Sequence, residues 1–410
     1  MTATSRIEID LSAIERNVGL IRRALAAGSP GRSVDLCAVL KADAYGLGAP
    51  RIAKRLEMVG VEMIAVYTPD QARALIAAAI RIPILILMPT RELTRVDTLY
   101  RAAATGRLHF TVHEREQLAS LTTLADHLGI TIPLHFDVDT GLHRGGATPE
   151  EATKLVKIAA NHPRLKVSGL STHFASADCD ADFTAAQTSC FDNWLATVQP
   201  FVEPDTVVHI ANSCAAFRAG ALHRDMVRVG LGLFGCVAER FHDPESCDLI
   251  DHCRDLEPVV RWTSRVVHTR DISAGEPVGY GGAWRSDRPT RLALVPVGFA
   301  DGYPMSLSSR GAVGVELPDG EMAYCPIAGR ISMDQMTIDI TDLPEGAGGV
   351  GALVELVGRD TTAPNHLPAL ARAATSSVHE LLSRLGSRVA RVYRAVSEQT
   401  DPTPIHSAAG

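Results

Sequence analysis

The sequence predicts an α/β protein in which a (β/α)8 TIM-type barrel is followed by a mainly antiparallel β domain. Three observations carry that expectation. Eight short apolar runs alternate with amphipathic segments as far as Leu231, the order expected of a barrel rather than of separate α and β regions. After about Cys236 the helical spacing gives way to closely set strand signals and turn residues. No G-x-G-x-x-G turn follows the first of these runs, where the alternative, an open doubly wound sheet, would carry its dinucleotide site.

Arg6 to Leu11 alternates polar and apolar residues, as a half-exposed strand does, and Asp10 or Ser12 can cap a helix beginning at Ala13. The eight barrel strands are then Leu36–Leu40, Val61–Val66, Ile82–Met88, Leu108–Val112, Thr131–Asp137, Leu165–Thr172, Val207–Ala211 and Val227–Leu231. Asp70–Ala79 and Glu150–Ala160 are examples of the helices between them. The second domain reads as strands at Val259–Thr269, Leu292–Val297, Cys325–Ile331, Met336–Ile340 and Leu353–Val357, with turns at Ser273-Ala-Gly275 and Pro318-Asp-Gly320. Helices follow at Pro368–Ala374 and Val378–Leu385. The expected division is a barrel over 11–240 and a β-rich unit over 241–390, with a polar, disordered tail from 396 to 410.

A chain of 410 residues, 46% hydrophobic, holds a large and a smaller domain with ample core. Its net charge of −7, with both signs interspersed, leaves no basic stripe for nucleic acid and no polybasic membrane patch, so the expected partner is a small molecule. No apolar run reaches the roughly 20 residues of a membrane span. The amino terminus lacks a signal peptide's apolar stretch, so a cytoplasmic protein is expected. The eight cysteines form no C-x-x-C pair and no zinc spacing, which predicts no metal site.

Lys41 ends the Leu36–Leu40 run and precedes a polar turn. In a parallel α/β fold that position opens on the active-site mouth, where partial loss of hydration lowers an amine's pKa and suits it to covalent attachment of a carbonyl cofactor. An exposed strand-end lysine would look the same in sequence. Barrels bind phosphate at the loops after strands seven and eight, and His209-Ile-Ala-Asn-Ser213 and Arg228-Val-Gly-Leu231 fall there. Asn212 and Ser213 can donate to phosphate oxygens, and Gly230 lets its own amide and that of Leu231 come close. An Asn-Ser pair is also an ordinary helix cap, at a helix end that welcomes anions. Taken singly, His173 reads as a packed hydrogen-bonding residue, Arg228 as half of an ion pair, and Tyr280 as a turn residue between glycines.

The segment V-L-K-A-D-A-Y-G-L-G at 39–48 resembles the pyridoxal-phosphate lysine motif of alanine racemases, which are fold-type III enzymes. Thr172-His-Phe-Ala-Ser-Ala-Asp178, His209-Ile-Ala-Asn-Ser213, Asp225-Met-Val-Arg-Val-Gly230, Val278-Gly-Tyr-Gly281 and Gly329-Arg-Ile-Ser-Met-Asp-Gln335 resemble further motifs of that family, in the same order. The resemblance implies pyridoxal 5′-phosphate on Lys41, with Tyr45, Asn212, Ser213, Gly230, Leu231 and His379 around its phosphate and His173 beside its ring. It makes Arg228 the partner of the pyridine nitrogen. A guanidinium with a pKa above about 12 keeps its proton, so the ring stays a weakened electron sink and return of the α-proton is favoured over transamination. Arg144 and the Met333 amide are implied as carboxylate contacts. Racemisation needs an acid/base on each face of the substrate, and the implied pair is Lys41 and Tyr280. The resemblance further implies that this tyrosine reaches the neighbouring subunit's cofactor in a head-to-tail homodimer and that the opening strand pairs into the β domain.

Four positions depart from the family. Asp137 stands where many relatives carry a carbamylated lysine, and its own charge is expected to orient Arg144 without carbon dioxide. Phe299 replaces a tyrosine, Met305 replaces an arginine, and His379 replaces a phosphate-contacting tyrosine, leaving volume for a side chain larger than alanine's. The expected function is therefore two-base racemisation of L- and D-alanine, with a serine or broad-specificity racemase as the alternative. A fold-type III decarboxylase or a non-catalytic pyridoxal-phosphate protein is less favoured. Wall synthesis and catabolism both stay open as the cellular role.

Overall fold

The computed structural model describes residues 5–237, 240–241 and 244–395. The tail expected to be disordered, 396–410, lies outside the described residues. Strand β1 (Arg6–Asp10) leads into a helix over Leu11–Gly28, whose first turn is capped by Asp10, its carboxylate accepting from the Ser12 and Ala13 amides at 2.9 and 3.0 Å. The helix starts at Leu11 because that cap closes two residues earlier than Ser12 would.

Eight parallel strands follow: β2 (Asp35–Val39), β3 (Met63–Val66), β4 (Ile84–Ile86), β5 (Leu108–Val112), β6 (Ile132–Asp137), β7 (Leu165–Ser171), β8 (Val207–His209) and β9 (Met226–Val229). Their order in the sheet is β8-β7-β6-β5-β4-β3-β2-β9. Backbone bonds from Asp225 to Val208 and from Arg228 to Ala211, 3.0 and 2.9 Å, bring β9 back to β8 and nearly close the barrel. Both faces of these strands are buried, which is why the sequence shows apolar runs here and not alternation. All eight expected barrel strands are present, the observed ones being shorter at half of their ends.

The second domain contains β10 (Val260–Arg265), β11 (His268–Ile272), β12 (Pro277–Val278), β13 (Trp284–Arg285), β14 (Thr290–Val295), β15 (Ala312–Glu316), β16 (Met322–Pro326), β17 (Met336–Asp339), β18 (Leu353–Val357) and β19 (Ala390–Arg394). The larger sheet runs β16-β15-β18-β10-β1-β19, so the opening strand does pair into this domain, antiparallel to β10 and parallel to β19. Two expectations are corrected. Val259–Thr269 is two strands in different sheets, broken at Val266 and Val267. The segment read as Cys325–Ile331 is shifted, with a strand at Met322–Pro326 and Ile327 only bridging Ile338. Strands β12, β13, β15 and β19 lie outside every expected strand.

Strand β19 fixes the turn after Lys41. The Arg391 guanidinium donates to the Gly46 carbonyl at 3.0 and 3.2 Å, and the Tyr393 hydroxyl donates to that of Leu47 at 2.9 Å. A Cβ on Gly48, whose φ is +92°, would overlap that hydroxyl. Gly48→Ala is expected to destabilise the protein by about 2–4 kcal/mol, combining left-handed strain with overlap. Gly31→Ala, at φ +75° with open space around it, should lose about 1 kcal/mol. Urea midpoints of the two variants measure the difference, and equal losses would show that Tyr393 does not press on the turn.

Candidate active site

Lys41 emerges at the carboxyl end of β2, half-buried, into an unusual piece of backbone. Ala42, Asp43, Ala44 and Tyr45 all have φ between +52° and +59°, one turn of left-handed helix without a glycine. Each such residue costs about 1–2 kcal/mol, so the turn persists only because its surroundings hold it. The Asp43 carboxylate accepts from the Ala49 amide at 2.7 Å, and the Ala44 amide bonds the Leu40 carbonyl at 2.9 Å. Together with the β19 contacts, these place Lys41 and Tyr45 at the barrel mouth. Burial, and then the nearby Arg144 charge, lower the Lys41 pKa and enlarge its neutral fraction.

Tyr45 is buried, its ring 5.4 Å from Phe234 and 5.6 Å from His379. Its hydroxyl stands where a Cβ on Gly230 would be, so glycine at 230 is what makes room for it. The Ser213 hydroxyl accepts from the Gly230 amide at 3.0 Å and the Gly232 amide at 3.4 Å. Asn212 caps the helix Ser213–Arg218 through the Ala215 amide at 2.9 Å, so the capping reading of this pair holds in the structure. Leu231 follows at the start of a 3-10 turn, Leu231–Phe234. Tyr45, Ser213, Gly230 and His379 thus ring one cradle, in which burial pushes His379 down to about 4. Arg240, which sequence reasoning missed, lies beside it, ion-paired to Asp178 and electrostatically coupled to His379 and Cys214. It sits past the last barrel strand in no motif, so no signal in the sequence pointed to it.

Arg228 on β9 is buried and surrounded by acceptors. Its Nη1 donates to His209 Nδ1 and the His209 carbonyl at 2.8 and 2.5 Å; its Nη2 donates to the Thr172 carbonyl and His173 Nδ1 at 2.8 and 3.2 Å. Those bonds occupy four of the five N–H groups of a guanidinium. The Nε–H has no partner among the described residues, so one fixed donor remains for an acceptor at the barrel mouth. Burial, then the Arg228 charge, holds His173 down to about 3, and the imidazole is neutral.

Arg144 is exposed on a loop organised by Asp139, whose carboxylate accepts from the Gly141 and His143 amides at 2.9 and 3.1 Å. Asp137 does not touch it. The Asp137 carboxylate accepts from the Ser171 hydroxyl at 3.3 Å and lies 3.6 Å from His113 Nδ1, which itself accepts from the Gly146 amide at 3.0 Å. Its influence on Arg144 is electrostatic, through space.

Tyr280 and Met333 are elsewhere. No hydrogen bond or ring contact among the described residues joins either to Lys41. They lie on adjoining loops of the β domain, Gly279 packing against Arg330 and the Ala300 amide bonding the Met333 carbonyl at 3.0 Å. Tyr280 is 70% exposed and Met333 57%, with Phe299 and Met305 exposed nearby.

The chain matches two family models, the alanine racemase N-terminal domain over residues 9–238 and the alanine racemase C-terminal domain over 259–393. Alanine racemase of Halothermothrix orenii is 33% identical over 395 residues, covering 96% of this chain and 98% of that one. Alanine racemase of Desulfovibrio desulfuricans is 35% identical over 392 residues, covering 94% and 97%. Among solved structures, alanine racemase from D-cycloserine-producing Streptomyces lavendulae superposes with a TM-score of 0.83 at 31% identity, covering 97% and 99% of the two chains. That of Bartonella henselae, with covalently bound pyridoxal phosphate, gives 0.78 at 29% identity, covering 96% and 100%.

Proposed function

Since the chain belongs to the alanine racemase family, we infer that it interconverts L- and D-alanine with pyridoxal 5′-phosphate as cofactor. The observation that carries this for the chain's own residues is Arg228, with every Nη hydrogen committed and Nε–H free at the mouth that also holds Lys41. That donor fits a ring nitrogen that must accept a hydrogen bond, and the cradle at Gly230 fits a phosphate group.

The cofactor, when bound, supplies an electron sink that makes the α-proton of an amino acid removable. Lys41 would hold it covalently and, as a neutral amine, take or return that proton on one face. Asn212, Ser213, Gly230, Leu231, Tyr45 and His379 would hold the phosphate, with His173 against the ring. Arg144 and the Met333 amide would bind the substrate carboxylate. Tyr280 would serve the opposite face from a second copy of the chain, for which the exposure of Tyr280, Met333, Met305 and Phe299 on one side of the β domain is the support. We divide the chain at 11–240 and 241–390, with strand β1 joined to the second unit through β10 and β19. No helix among the described residues is long and apolar enough to cross a membrane. Cys37, Cys179, Cys190, Cys214 and Cys325 are free thiols, which suits the cytoplasm. Incubating each enantiomer of alanine in D2O and following α-deuteration with optical rotation tests the reaction. Carbon dioxide release would instead mark a decarboxylase, and no exchange a carrier.

A second reading, a racemase that also takes serine, rests on His379 packing against Tyr45 where a larger phenol is usual. His379→Tyr is then expected to lower the ratio of kcat/KM for serine over alanine about tenfold, the scale at which one small group changes a pocket's preference. An unchanged ratio would leave an ordinary alanine racemase.

A further inference from the structure

Arg228 is the upper end of a line of imidazoles that crosses the barrel interior. His209 Nε2 lies 2.8 Å from His135 Nδ1, and His135 Nε2 lies 2.9 Å from His109 Nδ1. His109 in turn hydrogen-bonds the Gly106 backbone at the amino-terminal end of the barrel, where Gly129, Thr131, Lys166 and Ser168 line a cavity with it. The four residues come from β9, β8, β6 and β5, and the line passes over β7 because Gly169 is paired directly beside His135. A Cβ on Gly169 would overlap the His135 ring, and the β6–β7 register shifts at Leu134/His135, which re-aims that side chain.

The direction of the line is forced. A guanidinium only donates, so His209 must accept at Nδ1 and carry its proton on Nε2. That proton points at His135 Nδ1, which must then accept, and the same step repeats at His109. All three rings are neutral: burial holds His109 down to about 4 and His135 and His209 well below the usual histidine range. The charges facing the line are Lys166 at its lower end and, around Arg228 at its upper end, Asp137 and Arg144, with the Cys37 thiol beside them.

We propose that His109 and His135 are positioning residues for racemisation, which together with His209 lock the Arg228 guanidinium in the single orientation that turns Nε–H towards the cofactor's ring nitrogen. This rests on the functional reading above. Rotating Arg228 would leave a buried imidazole lone pair unsatisfied, and that vacated acceptor would pass down the line to His135 and His109. Breaking the line frees the guanidinium to turn and lets the ring nitrogen find another donor, which diverts turnovers into transamination.

The test compares His135→Leu with His135→Gln, since glutamine can accept from His209 and donate to His109 as the imidazole does. Histidine-selective 15N NMR of the protein, with and without cofactor, should show His109, His135 and His209 protonated on Nε2 and not titrating between about pH 5 and 9. In His135→Leu, His209 should leave that tautomer, kcat/KM for alanine should fall about tenfold at unchanged cofactor content, and cofactor converted to its amine form should accumulate during turnover. His135→Gln should stay within about threefold of the parent. If His135→Leu does not fold, His109→Leu breaks the same line one ring further from the site and should release the His135 tautomer. A proton on His135 Nδ1, titration of any of the three rings near neutrality, or equal behaviour of the leucine and glutamine variants overturns the proposal. A parent protein with the expected tautomers but no racemisation overturns the functional reading instead.

Discussion

Lys41→Ala is expected to lower kcat/KM for alanine in both directions by about a thousandfold or more, the scale of losing a covalent anchor and an acid/base together. It should also leave the cofactor removable by dialysis. The geometry makes this more than the loss of one amine. Lys41 is the last residue of right-handed backbone before four left-handed ones, held by Asp43, Arg391 and Tyr393. Neither those bonds nor the Tyr45 packing involves the lysine side chain, so the alanine variant should fold with a melting temperature close to that of the parent. Lys41→Arg separates charge from chemistry, since it keeps a cation near Arg144 but not an amine that titrates within reach of neutrality. Both variants are therefore expected to fail equally. α-Deuterium exchange at the parental rate in Lys41→Ala would remove the lysine from the reaction.

The barrel was legible because parallel strands covered on both faces read as unbroken apolar runs, and each run ended where a chemically distinctive residue began. The β domain was harder for specific reasons. Strand β15 carries Gly314 at its centre, which weakens a strand signal, and β19, Ala390-Arg-Val-Tyr-Arg394, alternates over only five residues. Val266 and Val267 break a run without any glycine or proline, so nothing in the sequence announced the change of sheet.

The site divides in the same way. Lys41, Asn212, Ser213 and Arg228 were legible as candidates because strand ends and family motifs coincide. The left-handed turn was not foreseen, since no local propensity puts Ala-Asp-Ala-Tyr at positive φ. It is imposed by β19, whose hydrogen bonds to Gly46 and Leu47 span 345 and 346 positions of the chain. The imidazole line was equally hidden. His109, His135 and His209 sit on three strands, and only the register, with Gly169 between two of them, reveals that they meet.

Mixing Lys41→Ala subunits with Tyr280→Phe subunits is expected to restore activity that neither variant has alone. In one chain Lys41 and Tyr280 do not meet, and Tyr280 is 70% exposed on a face that also shows Phe299, Met305 and Met333. If a second copy covers that face with two-fold symmetry, each site takes its lysine from one subunit and its tyrosine from the other. A mixed dimer then contains one site with both groups missing and one with both intact. Random reassortment makes about half of the dimers mixed, so activity should recover to about one quarter of the parent's. Were both groups drawn from the same chain, every site in every dimer would lack one of them and mixing would restore nothing. The shared-site arrangement also predicts a dependence on concentration: dilution below the dimer's dissociation constant should abolish racemisation while leaving the cofactor attached to Lys41, because in that arrangement the barrel holds the cofactor and the partner supplies the opposing base and the Met333 amide.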